Sequence, residues 1–365
     1  MEYVQERIAT LHDLTGHTPD APTERAAVVV PMTDREYAGL AAEHTLKTLE
    51  AVDPARVIVP LRAPAARVPA FREWLAGFDL PLALLWCNAP AVDDLLGEYG
   101  VGSEAGKGRD VWLALGIATR APVEFVVVHD ADVTSYDASH VPRLLAPLSE
   151  FAFSKGYYAR VENDRLYGRL FRLFFAPLVE TLRARHDHPL IEYLGAFRYA
   201  LAGEMGFRAS LVEELRLQPS WGLETGLLGE TFLTAGVPGT VQVDLGVHEH
   251  DHRAVGGETG LAGMSEHVSR ALFRALGDVG IDPEFETLPA AYRETADRFT
   301  EGYAADAAFN GLSYDCEGER AQIDAYAEAI GHVDGDEDRR LPAWSEVDLE
   351  PERIEAASAR AIEER

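Results

Sequence analysis

The chain has 365 residues, 47% of them hydrophobic, and its 61 acidic side chains outnumber 33 basic ones to give a formal charge of −28. That is enough apolar material for a large core, and the negative field opposes binding to nucleic acid or anionic lipid. Lysine occurs only at 47, 107 and 155, a balance suited to high salt, where repulsion is screened over about 3 Å at 1 M.

Cys87 and Cys316 are far apart and show no CxxC spacing, so neither a disulfide framework nor a thiolate zinc site is expected. The opening MEYVQERIATLHDL is charged where a signal peptide needs an apolar core, and no apolar run approaches about 18 residues. The expectation is a cytoplasmic protein without a transmembrane segment. Residues 1 to 12 read as a short amphipathic helix and the rest of 1–25 as a turn-rich loop. AAVVVPM (26–32), RVIVPL (56–61), LALLWCN (82–88) and EFVVVHDAD (124–132) read as buried strands, separated by helical segments at 34–51, 64–78, 91–98 and 107–119. Strands and helices alternating at this spacing predict right-handed crossovers and a mainly parallel sheet covered on both faces. Residues 26–135 therefore read as a nucleotide-binding α/β half, with ligands beyond the carboxyl ends of its strands. The next half, 136–275, is less regular: a helix after Ser139, a strand near 151–161, a long helical stretch at 165–185, helices at 190–201 and 222–235, an alternating strand at 240–248 and a helix at 265–277. Helices follow over 276–330, and the acidic 331–365 reads as a solvated tail with a short helix at 351–364.

Several short stretches carry chemistry. In VVVHDADV a valine run ends in Asp130 and Asp132, which a buried strand cannot hold unpaired, so the run has to end where these carboxylates meet water, a partner or a hard divalent cation. AGKGRD places Lys107 between two glycines, allowing a phosphate to approach, although the P-loop pattern is absent and a plain turn opening a helix is the ordinary reading. HEHDHR would put His248, His250 and His252 on one face if its strand continued, as metal ligands or as a solvated cluster. YGRLFRLFFAPL sets Arg169 and Arg172 at a helix start, for an anionic ligand or for pairing with the chain's many acids. ALAGEMG holds Glu204 among small apolar residues, where a carboxylate needs a partner or a task.

Taken in order, PMTDRE, GKG, HDAD, YGRLFRLFFAPL, ALAGEMG, SWGLETGLLGETF and VQVDLGVHEHDHR resemble the glucosyl-3-phosphoglycerate synthase family of retaining glycosyltransferases with the GT-A fold, over roughly residues 26 to 275. The resemblance implies an α/β, Rossmann-like GT-A sheet and transfer of a hexose, glucose from UDP-glucose, to 3-phosphoglycerate or a similar small acid. It implies donor contacts from Pro31, Met32, Thr33, Arg35, Lys107, Asp130, Asp132, Leu201, Ala202 and Gly203, with Asp132 and His250 ligating Mg2+ or Mn2+. Glu204 would lie at the reacting carbon, and Gly168, Arg169, His252 and Arg253 would hold the acceptor. Three positions depart from the family pattern: Arg35 replaces an acid, Phe171 a threonine and His252 an asparagine. The competing readings are a glycosyltransferase with another acceptor, including a lipid phosphate, a sugar-nucleotide nucleotidyltransferase, and a non-catalytic nucleotide sensor. The apolar C-terminal helices give grounds for a homodimer. All of the proposed chemistry requires Asp132 and His250 to come together in space.

Overall fold

The computed structural model describes residues 6–102, 105–120, 123–251, 258–331 and 340–365. Its strands lie at Ala9–Leu11 (β1), Ala26–Val29 (β2), Met32–Thr33 (β3), Arg56–Arg62 (β4), Leu82–Trp86 (β5), Phe125–Val128 (β6), Phe153–Ala159 (β7), Val161–Glu162 (β8), Arg165–Leu166 (β9), Met205–Arg208 (β10) and Thr240–Val247 (β11). Among the described residues, nine of these form one sheet in the order β1-β11-β7-β10-β6-β2-β4-β3, with β5 also on β4. β10 runs antiparallel to its neighbours β6 and β7, whereas the other pairings in the sheet are parallel. β8 and β9 form a separate small hairpin.

The valine runs fold as their composition requires. All four residues of β2 and all four of β6 are buried, as expected of central strands covered on both faces by helices. One apolar cluster on the sheet joins Val29, Ile58 and Val126 to Trp112 and Phe174; a second joins Val28, Val57 and Val127 to Leu46, Phe71 and Leu144. Strands from both expected halves thus enter one sheet. This topology also sets the location of chemistry. The parallel strands β2, β6, β7 and β11 end at one edge, and antiparallel β10 begins there, so Leu201 to Glu204 arrive at the same edge as Asp130, Asp132 and His250. An open α/β sheet places its ligands at this edge.

Several elements differ from expectation. Residues 9–11 form a strand rather than a helix, because pairing with Val241 to Val243 of β11 satisfies their backbone. The helix expected at 34–51 spans Leu40–Val52, since Thr33 donates from its N–H and hydroxyl to Glu36 Oε2 at 2.5 and 2.8 Å and holds the preceding residues in a turn. The stretch 165–185 is not one helix: the β8–β9 hairpin comes first, then a widely wound π-helical turn at Leu170–Phe175, then a helix at Ala176–Arg183.

The solvated-tail reading of 331–365 is overturned for residues 340–365. Leu341, Trp344, Leu349, Ile354, Ala357 and Ile362 are buried, and the amphipathic helix Pro351–Glu363 packs on β5 and on the helix Pro90–Glu98. Trp344 stacks on Trp112 with ring centroids 4.0 Å apart. The two indoles exchange hydrogen bonds with nearby backbone: Trp344 Nε1 donates to the Trp112 carbonyl at 3.1 Å, and Trp112 Nε1 to the Pro342 carbonyl at 2.8 Å. Gly116 admits this contact, because a Cβ there would lie 2.2 Å from the Trp344 ring.

Candidate active site

β6 stops at Val128, so Asp130 and Asp132 sit beyond the strand end as the sequence demanded. Asp130 accepts an ion-paired contact from Lys107 Nζ at 2.7 Å, and the same ammonium reaches Glu224 Oε1 at 2.9 Å. Lys107 is the first residue of the helix Lys107–Ala118, capped by Gly106. The flanking glycines serve a different end from the one expected. A Cβ on Gly108 would lie 1.8 Å from the Gln218 carbonyl oxygen and one on Gly106 2.6 Å from that of Pro219, so the close approach they permit is taken by the chain itself.

Gly203 lies against Asp130, whose Oδ2 would be 2.3 Å from a Cβ at that position. The next residue, Glu204, is 1% exposed and neither of its carboxyl oxygens has a well-formed hydrogen bond. Burial, and after it the charge of Asp130, push its pKa up to about 8. Burial and then Asp130 also raise Asp132, to about 7. Asp130 behaves oppositely: burial would raise it, but the Lys107 ammonium outweighs burial and holds it below the ordinary carboxylate value, with His250 adding to the effect. Burial likewise opposes the charge on Lys107, yet its two carboxylates raise its pKa well above the usual lysine value.

The loops after β6 and β11 zip together. Val133 pairs with His250 in an antiparallel bridge; Asp251 N–H donates to the Asp132 carbonyl at 2.8 Å and Thr134 N–H to the Glu249 carbonyl at 2.8 Å. The backbones of Asp132 and His250 are therefore neighbours, and both residues border the Lys107–Asp130 pair. Burial and the Asp130 charge outweigh the opposing Lys107 ammonium at Asp132, so a hard cation at this position would relieve the crowding of negative charge. Among the described residues no cluster of three or more His, Cys, Asp or Glu is assembled for a metal. Mg2+ is commonly held by one or two carboxylates together with substrate phosphates, so Asp132 and His250 are the residues that would hold such a cation here.

The other expected residues divide. Thr33 ends β3 and Arg35 lies in the turn after it, with Pro31 preceding the strand, while the Met32 side chain is 3% exposed and belongs to the core, leaving its backbone for any ligand. Leu201 and Ala202 precede Gly203 at the entry to β10. His248 does not share an open face with His250. The strand ends at Val247, and His248 is fully buried, stacked on Tyr158 at 3.9 Å, with burial pulling its pKa down to about 2. Arg172 takes its structural role: it makes a two-point pair with Glu319 at 2.8 and 3.1 Å. Arg169 is more exposed, its Nε 3.7 Å from the same carboxylate, and follows Gly168, whose φ of +75° suits glycine. His252 and Arg253 lie outside the described residues.

Two members of the site were not assigned from sequence. Glu224, inside SWGLETGLLGETF, is the second partner of Lys107. Lys155, on β7, is 1% exposed and its Nζ donates to the Ala202 carbonyl; burial pulls its pKa down to about 8. The scarcity of lysine was the available signal, since two of the three lysines meet here.

No sequence-family model matches the chain. A glucosyl-3-phosphoglycerate synthase from Methanococcoides burtonii is 31% identical over 98% of this chain and 94% of its own length. The chain belongs to the glucosyl-3-phosphoglycerate synthase family. A second relative of that name, from Persephonella marina, is 31% identical over 92% of this chain and 89% of its own. As a member of this family the protein is a glycosyltransferase with the GT-A fold, as the order of its motifs implied. Solved structures agree on the fold. The Mycobacterium tuberculosis glucosyl-3-phosphoglycerate synthase in complex with phosphoglyceric acid superposes with a TM-score of 0.57 at 23% identity, over 75% of this chain and 89% of that one. Mannosyl-3-phosphoglycerate synthase from Rubrobacter xylanophilus gives 0.54 at 21% identity, over 70% and 75%. A further M. tuberculosis structure, with a TM-score of 0.56 at 24% identity over 75% and 89%, contains Mn2+, UDP-glucose and phosphoglyceric acid.

Proposed function

We propose that the protein transfers glucose from UDP-glucose to 3-phosphoglycerate with retention of anomeric configuration, using Mg2+ or Mn2+. The observation that carries the proposal is the convergence at one sheet edge of Lys107, Asp130, Gly203 and Glu204 with the zipped loop bearing Asp132 and His250. Asp132 and His250 would hold the cation, which when bound supplies positive charge for the diphosphate leaving group.

Lys107 is fixed between Asp130 and Glu224, so its charge is in position before reaction and requires little reorganisation. Pro31, Thr33 and Arg35 border the base side of the donor, with the Met32 backbone. The Leu201–Gly203 backbone borders the donor sugar; Gly203 makes room for Asp130 beside it, and Lys155 ties it down through the Ala202 carbonyl. Glu204, buried and without a firm partner, faces the reacting carbon and stabilises positive charge developing there. Gly168 and Arg169, with His252 and Arg253, receive the acceptor, whose hydroxyl attacks from the leaving-group side and passes its proton to the departing diphosphate.

The test is UDP release in high salt with Mg2+ and a panel of sugar nucleotides and acceptors. Release stimulated by 3-phosphoglycerate supports the proposal, and release indifferent to that acceptor overturns it. The setting belongs to the same proposal: a cytoplasmic enzyme of a salt-rich cell making a small charged solute. No described helix is long and apolar enough to cross a membrane. A homodimer through the C-terminal helices would use Phe309, 90% exposed at the end of Leu288–Phe309; a monomer in sedimentation would remove it.

A further inference from the structure

The acceptor reading leaves a chemical gap. A phosphorylated hydroxy acid carries two anionic groups, a phosphate at one end and a carboxylate beside the hydroxyl that attacks. Among the described residues the expectation supplied one cation for both, Arg169, and that side chain is 42% exposed and shares Glu319 with Arg172.

A second arginine stands next to it. β7 ends at Ala159, and the chain turns back through Asn163 and Asp164, both at left-handed φ of 50° and 56°, the geometry of a tight two-residue hairpin turn. The return brings Tyr167 N–H to the Arg160 carbonyl at 2.9 Å, so Arg160 lies across the hairpin from the residue preceding Gly168. Its side chain runs along that loop: a Cβ on Gly168 would sit 3.9 Å from Arg160 Cδ and 3.5 Å from the Tyr199 hydroxyl. Tyr199 packs edge-on to Tyr158 at 5.0 Å and to Phe171 at 5.1 Å, and Tyr158 and His248 both feel the Arg160 charge. Tyr158 also borders Glu204. The guanidinium is thus on the inner side of the acceptor loop, towards the reacting carbon, with Arg169 on the outer side.

The charge of Arg160 is only loosely answered within the protein. Glu162 approaches no closer than 3.8 Å, and the buried Nε has no acceptor. The Tyr199 hydroxyl is its other neighbour. A planar guanidinium with donors to spare suits a carboxylate.

We propose that Arg160 binds the carboxylate adjacent to the acceptor's attacking hydroxyl, while Arg169 takes the distal phosphate. The inference rests on the proposed phosphoglycerate reading and assigns each of the acceptor's two acids its own arginine. Phe171, which stands where the family pattern has a hydroxyl, then leaves the inner contact intact.

The experiment compares wild type, Arg160→Gln and Arg160→Lys with saturating UDP-glucose and Mg2+, using 3-phosphoglycerate and glycerol 3-phosphate, which lacks the carboxylate. Wild type is expected to prefer 3-phosphoglycerate. Arg160→Gln should raise its KM at least about tenfold, the worth of one hydrogen bond to a charged group, leave the UDP-glucose KM unchanged, and erase the preference between the two acceptors. Arg160→Lys, which keeps the charge and loses the fork, should fall between, and it carries the test if the glutamine variant does not fold. An unchanged KM for 3-phosphoglycerate, or equal losses with both acceptors, overturns the assignment while the phosphoglycerate reading stands. A wild type that shows no response to 3-phosphoglycerate overturns both.

Discussion

Asp132 and Glu204 sit in the same crowded field, and each has a role that its substitution can isolate. Asp132→Ala is expected to abolish metal-dependent UDP release while the metal-free protein melts no lower than wild type, because burial and the Asp130 charge outweigh the Lys107 attraction at this carboxylate. A metal titration beside a thermal melt checks both halves, and a variant that still responds to metal removes Asp132 from the site. Glu204→Gln should bind UDP-glucose normally and lose roughly a hundredfold or more in rate, the scale of removing one group that stabilises transition-state charge. The same pair of proteins reports a pH effect. The folded-state pKa of Glu204, about 8, exceeds the ordinary glutamate value of 4.5, so the folded state holds this proton more tightly. Its contribution is fully present below about pH 4.5 and is lost as pH rises through about 8. Denaturant melts without metal should show wild type losing stability relative to Glu204→Gln across that window. Asp130 and Asp132 were legible because a valine run cannot end in carboxylates without a reason. Lys155 was not: in FSKGYYA it takes an inward position of an otherwise ordinary strand, and its use emerges only when Met205 of β10 pairs beside it.

At the scale of elements, the parallel half of the sheet was readable because each buried strand is a continuous apolar run bounded by helical periodicity. The antiparallel strand β10 was not, since its placement between β6 and β7 depends on partners about 50 to 80 positions away in the chain. The C-terminal segment was misread for a different reason. The charges around 331–340 dominate its average composition and mask the helical spacing of Ile354, Ala357, Ser358 and Ile362, all buried. That segment holds the helix of Lys107 in place through the paired indoles. Trp344→Ala is expected to cost about 3 to 5 kcal/mol in a denaturant melt, as for other buried tryptophans. A loss below about 1 kcal/mol would mean that the tail docks without supporting the fold.

For the whole molecule, the excess of acid is the governing property. With a formal charge of −28, dilute buffer leaves long-range repulsion unscreened, whereas molar salt confines it to about 3 Å. The melting temperature should therefore rise from 0.1 to about 2 M KCl, and rise more than in an equal concentration of an uncharged osmolyte; a flat or falling curve would separate the composition from salt adaptation. The order of the motifs made the family readable despite this unusual surface, because ligand-facing residues answer to the substrate and surface residues to the solvent. One practical result follows from the distribution of lysine. Lys155 is enclosed, Lys107 is held by two acids, and the side chain of Lys47 is 61% exposed. Among the lysines, an amine-directed reagent thus meets a single accessible handle, on the helix Leu40–Val52, through which a bead or a fluorophore can be attached without modifying Lys107 or Lys155.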